Sequence, residues 1–491
     1  MIVLRPQLPF DPEETCLSFA NRLALLHTGR GVRQLLRDLG IDVPGFLSGH
    51  AAEVAALADA AGVSSNALLE NSVDVKQTHA WFRGERQSKA FLSPRASRYC
   101  PACLAEEEDS RSWRQRLIWG IRHVHRCDRH DSWLNLSPDA TAEVCHGVIS
   151  KGDLAERRPA VDPPPEYQCW LRTRLHGQAS TPDEWMDSQT LEQILNASEM
   201  LGAVLEHGHD VRPTKLSPEA REEAIDIGFS IFREGPQAVT EALDTIHAAS
   251  PAAAVQAGPL AYYGRLFDWL DRRSNAIAPG PIRDILREHI VRNFAVEPGT
   301  TVLGEEVSVR RSYTLQGLSE ELRMDRRRLS RVLQKLGKVP LGAADRESGN
   351  MIFDAAETIP LIEAFQSAVR LHEVPFYLGA SKRQVENLYR AGILEPLIPA
   401  TSRGAVRNVV FARSHLDEVL SRIDQLPVVS EADRADYHPV PYACQRGAGA
   451  FEAIFTRIMA SEIQCCRDPR IRGIGGLIVR LDDVLERCIP A

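Results

Sequence analysis

Two closely spaced pairs of metal-binding residue types lie in the first third of the chain. The first pair is Cys100 and Cys103, the second is Cys127 and His130, and two residues separate the members of each pair. Zinc takes four nitrogen or sulfur ligands arranged as a tetrahedron, and a pair with this spacing on a tight turn supplies two of them. Because two such pairs fill all four positions, the spacing predicts a structural zinc site with no position left for a catalytic water.

Other cysteines and histidines leave alternatives for metal binding. His123, His125 and Cys145 are alternative fourth ligands of the same site. A second site is conceivable from four C-terminal cysteines, namely Cys444, Cys465, Cys466 and Cys488. Their spacing is unconvincing, and we interpret them as buried small apolar side chains. In a cytosolic chain of this size, clustered cysteines more often bind metal than form disulfides. The competing interpretation of the first cluster is ordinary reduced thiols and a surface histidine.

A strongly cationic segment is the first candidate for nucleic-acid binding. Residues 308–338 contain nine Lys or Arg against three acidic residues, a local net charge of about +6 in a chain whose total is −8. Apolar residues at helical spacing predict a helix–turn–helix over 315–336, whose second helix starts near Asp325. That helix would present five cationic side chains to phosphates and base edges, which are Arg326, Arg327, Arg328, Arg331 and Lys335. The alternative is a solvated charged face on a helical hairpin.

A second helix–turn–helix pattern occupies residues 377–388. Gly379 suits the turn, and Ser381 suits the N-cap of the helix that follows. The pattern resembles the winged helices of MerR-type regulators. We expect DNA contacts from four cationic residues of this unit and its wing, which are Lys382, Arg383, Arg403 and Arg407. A winged helix with a purely structural or protein-binding role is the alternative.

No constellation of catalytic residues stands out in the sequence. We find no phosphate-cradling glycine loop, no paired-carboxylate motif and no Ser/His/Asp arrangement, and the glycines of 473–476 are better interpreted as a turn. Phosphoryl transfer usually requires acidic residues that gather metal ions, and nothing in the sequence argues for it. We therefore predict no catalytic residues and favour a binding protein over an enzyme.

The length and composition of the chain limit its number of domains and its class of protein. The 491 residues correspond to roughly three domains, by a rule of about 150 residues each. A content of 44% hydrophobic and 25% charged residues excludes a disordered chain, a collagen-like repeat and a coiled-coil rod. No stretch approaches the roughly 20 apolar residues of a membrane span, and the N-terminus has no signal-peptide pattern. We therefore expect a cytoplasmic protein with no membrane partner.

Periodicity predicts a mainly α, multidomain chain with a small zinc-knuckle domain and tandem helix–turn–helix or winged-helix units. The polar, proline-rich residues 151–166 are expected to be a linker or an extended connection. The expected divisions are 1–95 (helical), 96–148 (zinc-binding), 149–300 (helical middle region), 301–371 (first helix–turn–helix unit), 372–430 (second, winged-helix-like unit) and 431–491 (degenerate third unit).

Two local expectations concern the elements that would hold the metal site. Residues 11–14 are typical of a helix start, with Asp11 as the cap and Glu14 reaching back to it. Three residues at helical spacing would form a small core over the metal turns, which are Trp113, Leu117 and Ile121. A unit this small would need the metal for its folding energy.

Three stretches together resemble the TniQ/TnsD family of transposon target-selection proteins. Residues 8–24 are similar to the opening helix of the family, and residues 98–104 with 127–130 resemble its zinc motif. Residues 258–290 resemble the middle region of longer members, so the resemblance spans roughly 8–340. Many members carry a further cysteine pair soon after the histidine, whereas only Cys145 follows here. This departure places a second metal turn in doubt.

The resemblance implies an adaptor, with its zinc ligands at the four positions named above. Such adaptors link a target to an AAA+ ATPase, which recruits the transposase, and they would work in bacteria at the nucleoid. The target is double-stranded DNA or a guide-RNA effector complex, and the long C-terminal half favours DNA reading. The alternatives are a stand-alone transcription regulator, or a bridge to a guide-RNA complex without sequence-specific DNA binding of its own.

Overall fold

A computed structural model describes residues 3–93, 98–107, 109–136, 156–177, 183–252, 257–272, 277–344, 349–398 and 409–485. The chain is mainly α, as the periodicity predicted. It divides into two compact units, Met1–Val291 with Pro298–Ser308, and Arg292–Glu297 with Val309–Ala491. Within the described ranges, no helix is long and apolar enough to cross a membrane.

The first unit begins with five helices that share one apolar core. They are α1 (Cys16–Thr28), α2 (Val32–Asp38), α3 (Val43–Leu47), α4 (Ala51–Ala61) and α5 (Ser65–Glu70). The core residues come from all five helices and include Phe19, Leu36, Phe46, Leu57 and Leu68.

The start of α1 differs from the expectation. Thr15, not Asp11, is the N-cap, and its side chain accepts a hydrogen bond from the Ser18 backbone. Glu14 does not hydrogen-bond to the cap residue, because its buried carboxylate accepts two hydrogen bonds from Arg22, at 2.9 and 2.7 Å. The tertiary ion pair therefore overrides the local start signal, and the helix begins five residues after Asp11.

The last part of residues 1–95 is not helical. Three short strands form an antiparallel sheet in the order β1 (Asp74–Val75), β2 (Ala80–Phe82) and β3 (Glu85–Gln87). Ala80, Phe82 and Gln87 are buried on one face, whereas Trp81 and Arg86 are exposed. This alternation is the strand period of two, over runs too short to be recognised in the sequence.

The region that follows, called the metal-binding region after its four predicted ligands, contains short strands and one short helix. These elements are β4 (Arg98–Tyr99), α6 (Pro101–Ala105), β5 (Arg126–Cys127), β6 (Ser132–Trp133), β7 (Asn135–Leu136) and β8 (Arg158–Pro159). β4 pairs with β7, and β5, β6 and β8 form a three-stranded antiparallel sheet.

Helices then continue to residue 293. They are α7 (Glu166–Leu175), α8 (Glu184–Asp187), α9 (Leu191–His207), α10 (Pro218–Phe232), α11 (Pro236–Ala248), α12 (Pro259–Asp271) and α13 (Ile282–Asn293). The hairpin β9 (Thr301–Val302) and β10 (Glu305–Glu306) comes next. α9 and α10 approach closely at Gly202 and Gly228, where a side chain on either glycine would collide with the backbone of the other helix.

In the described part of the second unit, the order strand, helix, turn, helix, strand, helix occurs twice, and a third set follows it with one additional strand. The first set is β11 (Ser312–Thr314), α14 (Leu315–Glu321), α15 (Arg326–Lys335), β12 (Ile352–Asp354) and α16 (Ala355–Gln366). The second is β13 (Val369–Arg370), α17 (Val374–Leu378), α18 (Lys382–Arg390), β14 (Val410–Phe411) and α19 (Arg413–Asp424). The third is β15 (Tyr437–Pro439), α20 (Val440–Ala443), α21 (Phe451–Met459), β16 (Cys465–Arg467), β17 (Leu477–Arg480) and α22 (Leu481–Leu485).

The strands close each set in the same way. β11 pairs with β12, β13 with β14, and β15 with β17, in every case antiparallel. The first set has its own core around Leu318, Leu329 and Leu333. The second and third sets share one core, in which Leu388 and Phe455 both lie.

Candidate metal centre and nucleic-acid interface

The structure gathers the four predicted metal ligands into one cluster. The ligand atoms of Cys100, Cys103, Cys127 and His130 all lie within 4.8 Å of one another. The three cysteines are buried and the histidine is partly exposed. This set could hold a metal ion. His123 and His125, the alternative fourth ligands, are not in the cluster, and Cys145 lies outside the described residues.

The distances between the ligand atoms fit a tetrahedral metal. Zinc–sulfur bonds of about 2.3 Å and a zinc–nitrogen bond of about 2.0 Å give tetrahedral edges of about 3.8 Å between sulfurs and about 3.5 Å from sulfur to nitrogen. Cys103 Sγ lies 3.5 Å from Cys127 Sγ and 3.2 Å from His130 Nδ1. His130 Nδ1 lies 3.7 Å from Cys100 Sγ and from Cys127 Sγ. The cluster therefore has the dimensions of a closed four-ligand site.

Each pair of ligands lies on a short, well-defined turn. Cys100 is the N-cap of α6 and Pro101 occupies its first position, so the helix carries Cys103 back toward Cys100. Cys127 and Ser132 are paired across β5 and β6, and the turn between them contains Asp131 at a φ of 43°. The two turns approach because Arg98, just before the first, donates to carbonyl oxygens of Ile121, Arg122 and Val124.

Two residues that the sequence analysis missed support the ligands. His130 Nε2 lies 2.8 Å from a carboxylate oxygen of Glu106, which holds the ring with Nδ1 toward the thiols. The Ser132 hydroxyl lies 3.4 Å from Cys100 Sγ. Hydrogen bonds from Cys103, Cys127 and Ser132 hold the pKa of Cys100 well below its usual range, and the hydrogen bonds to Cys100 raise the pKa of Cys103 and of Cys127. The sequence shows an acidic residue, Glu106, directly after α6, but it does not show that this residue contacts His130.

Glu106→Ala is expected to weaken metal binding about 10- to 100-fold, because it removes the group that orients His130. Competition of the purified protein with a chelator dye measures the change. Glu107→Ala is the matched control: the neighbouring carboxylate lies 3.7 Å from Arg114 and makes no contact with the imidazole. Equal metal affinity in the two variants would contradict the supporting role of Glu106.

The predicted linker is in part a strand of the metal-binding region. β8 pairs with β6, and the Ala160 backbone donates to the Asp131 carbonyl at 2.7 Å. Arg126, next to the ligand Cys127, donates to the carbonyls of Asp162 and Pro163 at 2.7 and 2.6 Å. Of the two expectations, an extended connection therefore describes residues 157–163 and a free linker does not, because backbone groups of the second metal turn need these partners.

Trp113, Leu117 and Ile121 do not lie on one α-helix. Ser110–Ser112 and Leu117–Gly120 are separate single-turn 3-10 helices. Leu117 and Ile121 are nevertheless buried, and Trp119 is fully buried. His123 and His125 are also enclosed here, and burial lowers the pKa of His123 to about 4 and that of His125 to about 3. His123 is fully buried and His125 is partly buried.

The C-terminal cysteines do not form a second metal cluster among the described residues. Cys465 is buried, Cys444 and Cys466 are partly buried, and none belongs to a group of three or more potential ligands. Cys488 lies outside the described residues. Burial raises the pKa of Cys465 to about 12, which keeps this thiol protonated.

All five cationic residues predicted near Asp325 are exposed on α15. The Asp325 side chain caps this helix by accepting from the Arg328 backbone at 3.0 Å. Leu329, Val332 and Leu333 are buried on the opposite face. Among the described residues, none of the five cations makes an ion pair, and they are Arg326, Arg327, Arg328, Arg331 and Lys335. Within the described ranges, the helix therefore presents a cationic surface with no ion-paired acid.

The second predicted unit has the expected turn and cap. Gly379 adopts φ 59° and ends α17, while Ser381 and Gln384 form a reciprocal capping box at the start of α18. Lys382 and Arg383 are exposed in the first turn of that helix. Arg403 and Arg407, the predicted wing residues, lie outside the described residues.

Part of the chain matches a known protein family. Residues 5–134 match the model of the TniQ family, a range that includes α1 to α6 and all four residues of the metal cluster. This confirms the resemblance found in the sequence over that range. Among curated proteins, none matches the chain.

Proposed function

We propose, from the TniQ domain in residues 5–134, that this chain is a target-selection adaptor of a transposition system. In this proposal it binds a double-stranded DNA site and recruits an AAA+ ATPase, through which a transposase reaches the site. The chain itself supplies recognition and no bond-breaking chemistry.

We also propose that the four-residue cluster binds zinc and that the zinc is structural. Three thiolates and one imidazole are ligands that zinc prefers, and four protein ligands leave no coordination position for a substrate. The role of the metal is then to hold the turns of Cys100 and Cys127 together. Supported in this way, residues 98–136 offer a rigid surface in the TniQ domain.

The observation that carries DNA binding is the charge of α15. The protein as a whole is acidic, yet this helix of ten residues exposes five cations with no acidic partner among the described residues. Such an arrangement is costly in an isolated protein, because like charges repel at helical spacing. It becomes favourable when the helix meets phosphates, whose condensed counterions are released on binding.

Selection of duplexes from a random DNA pool, at about 150 mM salt with the zinc-loaded protein, tests the proposal. We expect enrichment of a long, non-palindromic sequence, because different recognition units follow one another in one chain. The selected duplex is then used to capture a purified AAA+ ATPase of a transposition system, with a scrambled duplex as control. Recovery of the ATPase only with the selected duplex is the expected result.

Failure of selection by folded, zinc-loaded protein would overturn DNA reading by this chain and favour a bridge to a guide-RNA effector complex. Enrichment without ATPase recruitment would instead favour a stand-alone transcription regulator. The adaptor, the bridge and the transcription regulator therefore predict different combinations of duplex selection and ATPase capture.

A further inference from the structure

The exposed faces of the second helices in the three repeated sets differ in chemistry. α15 exposes only cations along its outer stripe, where Arg327, Arg331 and Lys335 follow at intervals of four residues. α21 exposes Ala453 and Thr456, and Arg457 is paired with Glu462 at 3.5 Å. α15 also carries an amide, Gln334, but its side chain donates to the Ala343 carbonyl at 3.4 Å. On α18 an amide lies between two exposed cations, and its side chain makes no hydrogen bond with another described residue.

The stripe of α18 consists of Arg383, Asn387 and Arg390. These positions are spaced by four and three residues, so their side chains lie on one face of the helix. Arg383 and Arg390 are exposed and Asn387 is partly exposed, while Val385 and Leu388 are buried on the other side. The side chains of the stripe make no hydrogen bond or ion pair with another described residue.

The chemistry of a side chain decides whether it contributes to binding of any DNA or to recognition of particular bases. Asparagine can make two hydrogen bonds to adenine in the major groove, and arginine can make two to guanine, whereas contacts to phosphate carry no sequence information. The cations of α15 can contact phosphate or guanine only. The stripe of α18 offers a group that selects adenine between two groups that select guanine.

We infer that α18 determines the sequence preference of this protein, with Asn387 reading an adenine flanked by guanines, and that α15 supplies mainly sequence-independent affinity. The inference rests on the proposed DNA binding. The surroundings of α18 favour it, because α21 packs against this helix and the turn at Gly379 is held by a 2.8 Å hydrogen bond from the Gly475 backbone. A base-reading helix needs such fixed positioning.

The test measures binding of the full-length protein to the selected duplex and to duplexes with each other base at the central adenine. Wild-type protein should prefer adenine by roughly 5- to 150-fold. Asn387→Ala should bind all four duplexes equally, with an unchanged salt dependence. Gln366→Ala, which removes an exposed amide at the end of α16, is the control and should keep the preference.

A second, nearly isosteric variant separates misfolding from loss of reading. Asn387→Asp should shift the preference from adenine to cytosine, because a carboxylate accepts from the cytosine amino group. Persistence of the adenine preference in Asn387→Ala, or absence of a shift in Asn387→Asp, would overturn the inference while leaving DNA binding intact. Absence of duplex binding by the wild type would overturn the proposed function as well.

Discussion

Replacement of Cys103 by serine is expected to abolish stoichiometric metal binding and to unfold the metal-binding region. The serine hydroxyl is a poor zinc ligand, and Cys103 Sγ lies at the centre of the cluster, within 3.5 Å of Cys127 Sγ and 3.2 Å of His130 Nδ1. Structural zinc contributes its binding energy to folding. If several kcal/mol are lost, the melting temperature of a unit of this size falls by on the order of 10 °C.

The unfolding should extend to defined neighbours of the cluster. The Gln115 backbone donates to the Ser18 hydroxyl at 2.9 Å, and Thr15 donates to the Gln115 carbonyl at 3.0 Å, so the start of α1 depends on the same region. Hydrogen exchange should rise over residues 98–136, over 157–163 and at the start of α1. Protection within α9 and α10 should be retained, because these helices pack on each other.

Cys169→Ser is the matched control for Cys103→Ser. This variant also replaces a thiol by a hydroxyl, but on α7, where the Cys169 side chain is exposed and lies outside the cluster. The control should keep one zinc per chain by elemental analysis and the wild-type melting temperature. Cobalt substitution adds a readout independent of stability, since thiolate-to-cobalt absorption reports the ligands directly. One bound zinc and an unchanged melting curve in Cys103→Ser would contradict the metal assignment.

The ligand set was predictable because it depends on local spacing. Two residues between paired ligands are enough to place both on one turn, whatever the surrounding fold. The supporting residues were not predictable, because Glu106 meets His130 and β8 meets β6 only after the chain has folded back. The proline-rich composition of that segment indicated a linker or an extended connection, but it did not indicate the strand with which the segment pairs.

Errors in the helical assignments have a similar origin. At residues 11–14 the local cap signal was outweighed by the buried ion pair between Glu14 and Arg22. At residues 113–121, three apolar positions matched the helical period by chance over a stretch too short to test it. In the second unit, longer apolar patterns and capping residues such as Asp325 and Ser381 agreed, and the predicted helices formed there.

Different roles for α15 and α18 would affect how the protein finds its DNA site. A cationic helix that contacts phosphates binds any duplex and allows sliding, while a mixed helix discriminates only where its bases match. With α15 and α18 in one chain, nonspecific capture and sequence reading need not use the same side chains. Variants of each helix should therefore affect different measured quantities.

Alanine at Arg326, Arg327 and Arg328 together is expected to weaken duplex binding about 100-fold at 150 mM salt. Each phosphate contact contributes about 0.9 to the slope of log affinity against log salt, so the loss of three lowers the slope by about 2.7. If the variant and the wild type bind equally at about 1 M salt, this difference in slope lowers the affinity of the variant by about two orders of magnitude at 150 mM. Titrations at four or more salt concentrations give both quantities.

The control for the triple variant removes the same charge elsewhere. Arg30, Arg37 and Arg422 are exposed and lie outside α15 and α18, so their replacement by alanine changes the net charge equally. If long-range charge alone attracted DNA, both triple variants would lose affinity and slope to the same extent. A reduced slope only in the α15 variant, with base discrimination retained, means that this helix contacts phosphates directly. An unchanged slope would instead exclude α15 from the DNA interface.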